Sequence, residues 1–221
     1  MPLTHYIITR FSILDPSFGG FILNRENRGD AVQKNLFSKE RLDYKFDVFE
    51  KMTYKSIINQ TYKGYVWLIY TSIFLPQDYK DKLEAYSNER VKIIYVANFR
   101  HFNYHRSEFL KPLENYTTIR LDDDDGLCET FLEGINKYEG EKDKIVTAPY
   151  GVNFTIKNNS IKYGKANYQT NIAAGLTAIG FDIYDAGNHT TADERFSILI
   201  DRNIQYFLCC SPFCDSKRVF N

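Results

Sequence analysis

Tyr65-Val66-Trp67-Leu68-Ile69-Tyr70 is an unbroken run of apolar, strand-forming residues, bounded by Lys63-Gly64 before it and Pro76 after it. A run this short and this uniformly apolar reads as a strand buried on both faces, which is the pattern of a parallel sheet covered by helices. Three more runs share its character: His5 to Phe11, Val91 to Val96, and Tyr116 to Leu121. Helical patterns separate them. Phe46, Phe49, Met52 and Ile57 form one apolar face that ends near Gln60, and Tyr79, Leu83 and Tyr86 form another after Pro76. Asn98 to Asn115 is aromatic and basic and reads as a helix with a loop, and Leu127, Phe131, Ile135 and Tyr138 mark a further helical face. Strand and helix alternating in this way imply a mostly parallel central sheet flanked by helices. Ser12 to Lys39 is polar, contains glycine and lacks a clean period, so it reads as a long loop at a functional edge.

The second half changes character. Lys144 to Pro149 is a short strand, and Gly151 to Lys157 with Ser160 to Lys165 reads as a hairpin turned at Asn158-Asn159. Asn171 to Ile179 is a segment of small residues, Phe181 to Tyr184 a short extended piece, Thr191 to Ile200 a helix, and Gln205 to Cys209 a final strand. Antiparallel additions are therefore expected in the C-terminal half of an α/β fold. At 221 residues and 43% hydrophobic content one large domain accounts for the chain, spanning 1–215, with 216–221 a tail or the start of a linker to a further domain.

Four consecutive carboxylates, Asp122 to Asp125, follow the strand at Tyr116–Leu121. One Asp suffices to cap a helix, whereas four repel one another unless a counter-charge is present. Hard divalent cations such as Mg²⁺ and Mn²⁺ prefer such oxygens and complete their shell with waters and substrate phosphates. In an open α/β sheet, ligands bind beyond the carboxyl ends of the strands, where this cluster falls. The spacing excludes a calcium loop of the EF-hand type, because Gly126 stands where an oxygen ligand belongs. No Gly-x-Gly-x-x-Gly turn and no phosphate-loop motif is present, which disfavours a dinucleotide cofactor and simple ATPase chemistry and leaves a metal-bridged diphosphate.

Composition narrows the partners. Twenty-eight Lys and Arg balance twenty-eight Asp and Glu, so there is no global attraction to nucleic acid or anionic membrane. No stretch approaches a membrane span and the N-terminus lacks signal-peptide organisation, so a cytoplasmic protein is expected, in the host cytoplasm if it is viral. Cys128, Cys209, Cys210 and Cys214 are too few and too crowded for a disulfide framework, and a fourth ligand at zinc spacing is missing. Five N-glycosylation sequons carry no role without a secretory leader.

Tyr6-Ile-Ile-Thr9-Arg10-Phe11, then Arg41 with Phe46, Ser56 and Gln60 leading into Trp67, and Arg120-Leu-Asp-Asp-Asp-Asp125 together resemble the rhamnosyltransferase family with the glycosyltransferase A-type fold, viral capsid-glycan enzymes among them. The resemblance spans most of the chain and implies a metal-dependent enzyme that moves a sugar, L-rhamnose, from a UDP-sugar donor to a glycan acceptor with retention. It implies that Asp122-x-Asp124 is the Asp-x-Asp motif, with Asp124 the direct Mn²⁺ or Mg²⁺ ligand, Asp122 nearer the ribose and Asp123 sharing the task. Many enzymes of this fold read the nucleotide base with a carboxylate after the second strand, but here that strand ends Tyr70-Thr71-Ser72. Thr71, Ser72 or main-chain groups are candidates in its place, together with Thr9, Arg10 and Phe11.

Related enzymes often complete the metal shell with a late histidine, for which His189 is eligible, the alternative being a solvated loop residue. Asp193 and Glu194 either face the acceptor or form an acidic first helical turn. His101 and His105, with Arg100 and Arg106, either touch diphosphate or lie on a solvated helix face. Some of the 17 Tyr and 17 Phe can stack on sugar rings while most fill the core. Two other classes stay open: a haloacid-dehalogenase-like phosphatase built on Asp123-x-Asp125, and a non-catalytic sugar or nucleotide-binding module.

Overall fold

The computed structural model describes residues 3–17, 30–170, 172–211 and 213. Its strands are β1 (Thr4–Phe11), β2 (Tyr65–Ser72), β3 (Val91–Val96), β4 (Tyr116–Arg120), β5 (Gly126–Leu127), β6 (Lys144–Thr147), β7 (Tyr150–Lys157), β8 (Ser160–Tyr168), β9 (Thr177–Ile179), β10 (Ser197–Ile200) and β11 (Gln205–Cys209). The main sheet runs β10-β6-β9-β4-β1-β2-β3, with only β9 antiparallel to its neighbours, and a smaller sheet runs β5-β11-β7-β8. The helices are α1 (Asp30–Leu36), α2 (Lys39–Val48), α3 (Lys55–Ile58), α4 (Gln77–Glu84), α5 (Phe99–Leu110) and α6 (Phe131–Asn136), and a π-helical stretch, Phe49–Tyr54, joins α2 to α3. This is the mostly parallel α/β fold with antiparallel additions that the sequence pattern implies. Among the described residues, no helix is long and apolar enough to cross a membrane.

Strand alternation divides the core into two faces. Ile7 and Phe11 of β1, Trp67 and Ile69 of β2 and Ile119 of β4 share one cluster with Phe46 and Phe49 from the α2 region. Ile8, Leu68 and Tyr70 share the other with Phe99, Phe102 and Leu110 of α5. The same period sends Arg10, opposite Tyr70 in the ladder, toward the α5 face. Phe11 stacks edge-on against Phe46 and Phe49, with ring centroids 5.0 and 5.6 Å away. Burying side chains of this size contributes about 1.5–3 kcal/mol each.

Gln60, fully buried, clamps the π-containing helix to the smaller sheet. Its amide donates to the Ser56 and Cys128 carbonyls at 2.8 and 2.7 Å, and its oxygen accepts from the Leu132 N–H at 3.0 Å. The β7–β8 hairpin turns where expected, at Asn158 and Asn159, both at positive φ (51° and 61°), as a two-residue hairpin loop requires.

Four segments differ from the sequence reading. Asp30–Leu36, placed in the Ser12–Lys39 loop, is helical, because Val32 and Leu36 find Leu14 to pack on; residues 18–29 lie outside the described residues. Leu127 stands in β5 rather than on the following helix, since the Gly126-Leu127 backbone pairs with Tyr206 and Phe207. The extended piece at Phe181–Tyr184 gives way to a 3-10 turn over Ile183–Ala186, nucleated by the Asp182 side chain accepting from the Tyr184 N–H. The helix read over Thr191–Ile200 is a 3-10 stretch, His189–Glu194, followed by strand β10, because Ser197–Ile200 pairs with Lys144–Thr147. Short apolar runs do not distinguish strand from helix by period alone. Cys214 and the 216–221 tail lie outside the described residues, and the Cys128 thiol is free.

Candidate active site

The four aspartates leave the carboxyl end of β4, and the strand's alternation separates their side chains. Arg120 and Asp122 emerge on the face of Arg10, whereas Asp123 continues the parity of Ile119 and Leu121 toward α2. Asp125 N–H bonds back to the Asp122 carbonyl at 3.2 Å, and this turn brings Asp124 to the same side as Asp123. The backbone of Arg120 is set by the loop before β9: its N–H donates to Leu176 O and its carbonyl accepts from Gly175 N–H, both at 2.9 Å. Gly175 sits at φ +77° with a would-be Cβ 2.8 Å from the Phe131 ring, so no other residue fits there.

Asp122 receives Arg10 Nη2 at 3.1 Å and Arg120 Nη2 at 3.3 Å, and it is the most exposed of the first three aspartates, with 29% of its side chain accessible. Burial works against its charge, but the Arg120 and Arg10 guanidiniums outweigh that cost and hold its carboxyl well below the usual range. Both arginines, together with Arg106, lie over the ring of Tyr184, at 5.3 Å for Arg10, 5.8 Å for Arg120 and 4.6 Å for Arg106. Arg106 is buried and paired with Asp182, so it does not lie on the solvated helix face that its sequence context suggested. The Tyr184 hydroxyl is buried without a hydrogen-bond partner.

On the other side, Lys45 of α2 donates to Asp123 Oδ1 at 2.6 Å and to Asp124 Oδ2 at 2.9 Å. Asp123 Oδ2 is buried with no partner, and burial pushes this carboxyl up to about 6 despite the lysine. Thr53, inside the π-helical stretch, donates to the Asp123 carbonyl at 3.1 Å. Asp125 Oδ1 accepts from the Cys209 N–H at 3.1 Å and so ties the motif to β11 of the smaller sheet.

The remaining sequence candidates fall into two groups. His189 joins the cluster, with its Nδ1 3.5 Å from Arg120 Nη1. Thr9 and Phe11 do not face a ligand site: both are fully buried, Thr9 Oγ1 accepting from Trp67 Nε1 at 2.9 Å and Phe11 packing in the aromatic core. Ser72 Oγ is occupied by the Phe74 N–H at 3.1 Å, whereas the buried Thr71 hydroxyl has no partner. Asp193 and Glu194 are exposed, and among the described residues no hydrogen bond or ion pair ties them to the aspartates. Sequence reasoning missed Lys45 and Tyr184. Only the Lys45 position, one residue before the family-like Phe46, hinted at a role.

The architecture is that of a glycosyltransferase of the A type: the chain is similar to a crystal structure of GalNAc-T7 with UDP, GalNAc and Mn²⁺, with a TM-score of 0.55 and 12% identity over 94% of this chain. It spans 44% of that longer chain. The family model described as "Putative rhamnosyl transferase" matches residues 4–171, and the protein belongs to that family. No curated protein matches the sequence.

Proposed function

We propose that this glycosyltransferase moves L-rhamnose from UDP-rhamnose to a glycan acceptor, with net retention and with Mn²⁺ or Mg²⁺ at the aspartate motif. The observation that carries the reading is the buried, unpartnered Oδ2 of Asp123 beside Asp124, at the carboxyl end of β4 in a rhamnosyl transferase family member. Among the described residues no group of three or more His, Cys, Asp or Glu side chains forms a closed metal cage. A cation that relies on one or two carboxylates and substrate phosphates needs none, so the residues fit the ion. Asp124 and Asp123 would hold it, and when bound it neutralises charge developing on the diphosphate leaving group.

The chain's own residues do the rest. Asp122, kept ionised by Arg10 and Arg120, is an acceptor for a donor hydroxyl such as that of the ribose. Arg120 links Asp122 to His189, so His189 belongs to the arginine-held side of the motif, where it can support Asp122 toward the donor. Thr71 and Ser72, at the end of β2, are fully buried, which leaves main-chain groups at that strand end as the candidates to read the base. With retention no carboxylate must deprotonate the acceptor in an inverting attack, which leaves Asp193 and Glu194 to orient the sugar. The support for UDP as donor nucleotide is the similarity to a fold relative crystallised with UDP and Mn²⁺.

A thermal-shift screen of nucleotide sugars with and without Mn²⁺, followed by UDP release on adding acceptor, tests the proposal. Stabilisation by UDP-rhamnose only with metal, and a β-linked product from a β-donor by NMR, is the expected result. Equal affinity in EDTA refutes the metal role, and an α-linked product refutes retention.

A further inference from the structure

We infer that Lys45 is a resident counter-cation, which a divalent ion must expel from Asp123 and Asp124 before the donor can be bound. The inference rests on the metal reading above and concerns a residue to which that reading gives no part. Lys45 Nζ contacts one oxygen of each carboxylate, at 2.6 and 2.9 Å, and only 7% of its side chain is exposed. The ammonium contacts only one oxygen of Asp123, and the buried Oδ2 of that carboxylate has no partner, so the lysine does not satisfy it. A purely structural ion pair would be expected to use that oxygen.

A Mn²⁺ or Mg²⁺ ion binds carboxylate oxygen at about 2.1 Å, well inside the ammonium distance, and two cations cannot share the same pair of oxygens at contact without strong repulsion. Occupancy is therefore exclusive. The long lysine stem lets Nζ swing away while the aspartate loop stays in place, because Thr53 still holds the Asp123 carbonyl and the Cys209 N–H still holds Asp125. The released ammonium is then available to the incoming diphosphate. Metal alone meets a competitor that is already seated; metal with nucleotide diphosphate gives that competitor a new partner. The two ligands should therefore bind cooperatively.

The test is Mn²⁺ titration of the full chain, followed by the EPR signal of free Mn²⁺, for the wild type, Lys45→Arg and Lys45→Met, with and without UDP. Without UDP, Lys45→Met should bind Mn²⁺ at least about tenfold more tightly than the wild type, because a contact positive charge has been removed. Lys45→Arg should remain close to the wild type. UDP should tighten Mn²⁺ strongly in the wild type and much less in Lys45→Met. Unchanged or weaker Mn²⁺ binding by Lys45→Met overturns the inference and leaves the metal reading standing, whereas no Mn²⁺ binding by any form even with UDP sinks both. Should Lys45→Met fail to fold, ¹⁵N-lysine-labelled wild type supplies the answer: Mg²⁺ with UDP must move the Lys45 Nζ resonance, and an unmoved resonance overturns the inference.

Discussion

Asp123→Asn should make the metal-free protein more stable at neutral pH while weakening its hold on the cation. Burial raises the Asp123 carboxyl from 3.8 to about 6, so the folded state binds a proton more readily than the unfolded chain between those values. Stability therefore falls as pH rises through that window, and above it the ionised group costs about 3 kcal/mol, at about 1.4 kcal/mol per pH unit. Asparagine removes the charge but places two N–H donors where one oxygen already lacks a partner, which costs about 1–2 kcal/mol. Lys45 keeps Asp124 at 2.9 Å, so it is not stranded. The net gain expected at pH 7 is about 1–2 kcal/mol, shrinking toward zero or reversing by about pH 4 as the wild-type carboxyl protonates. His5, buried and lowered to about 4, drives the opposite trend in much of the same range, but it is common to both proteins and cancels in the difference. Urea unfolding with chelator from pH 4 to 8 measures that difference. A variant less stable than the wild type by more than about 1 kcal/mol at pH 7, or a difference that ignores pH, would show the Lys45–Asp123 pair to be net stabilising and the argument wrong.

Asp122→Asn should lower stability at neutral pH by about 2–4 kcal/mol, because Arg10 and Arg120 lose their shared partner; since the native carboxyl is held below its unfolded value of 3.8, the loss should be full above about pH 4 and shrink progressively as pH falls below it in denaturant melts. Asp124→Asn should abolish transfer and metal-dependent UDP binding without unfolding the chain, with Asp125→Asn milder in activity because its carboxylate bonds the Cys209 backbone; UDP-release assays and circular dichroism separate the two effects. Gly151→Ala should destabilise by about 3 kcal/mol, since the new Cβ would lie 2.0 Å from the buried Tyr206 ring and force β7 and β11 apart, and thermal unfolding reads it. His189→Ala should weaken UDP binding in Mn²⁺ by calorimetry, and unchanged affinity would return His189 to a loop role.

Period and composition by themselves determined the frame. Tyr65–Tyr70 is apolar on both faces, so only a covered central strand accommodates it, and the strand–helix alternation around it leaves a parallel sheet as the economical solution. The position of Asp122–Asp125 at the end of β4 was legible for the same reason, as was the Asn158-Asn159 turn. Segments that depend on distant partners were not legible. Ser197–Ile200 becomes a strand only because β6 offers it an edge, and Gly126-Leu127 only because β11 does. The site divides in the same way. Which residues carry acid chemistry can be read along the chain, but which charge neutralises which is a matter of separation in space, since Coulomb energy falls with distance and not with sequence interval. Lys45 lies 78 residues from Asp123, and Arg10 lies 112 from Asp122; only the folding of α2 and β1 against the end of β4 turns four repelling carboxylates into one pair held by arginines and another held by a lysine.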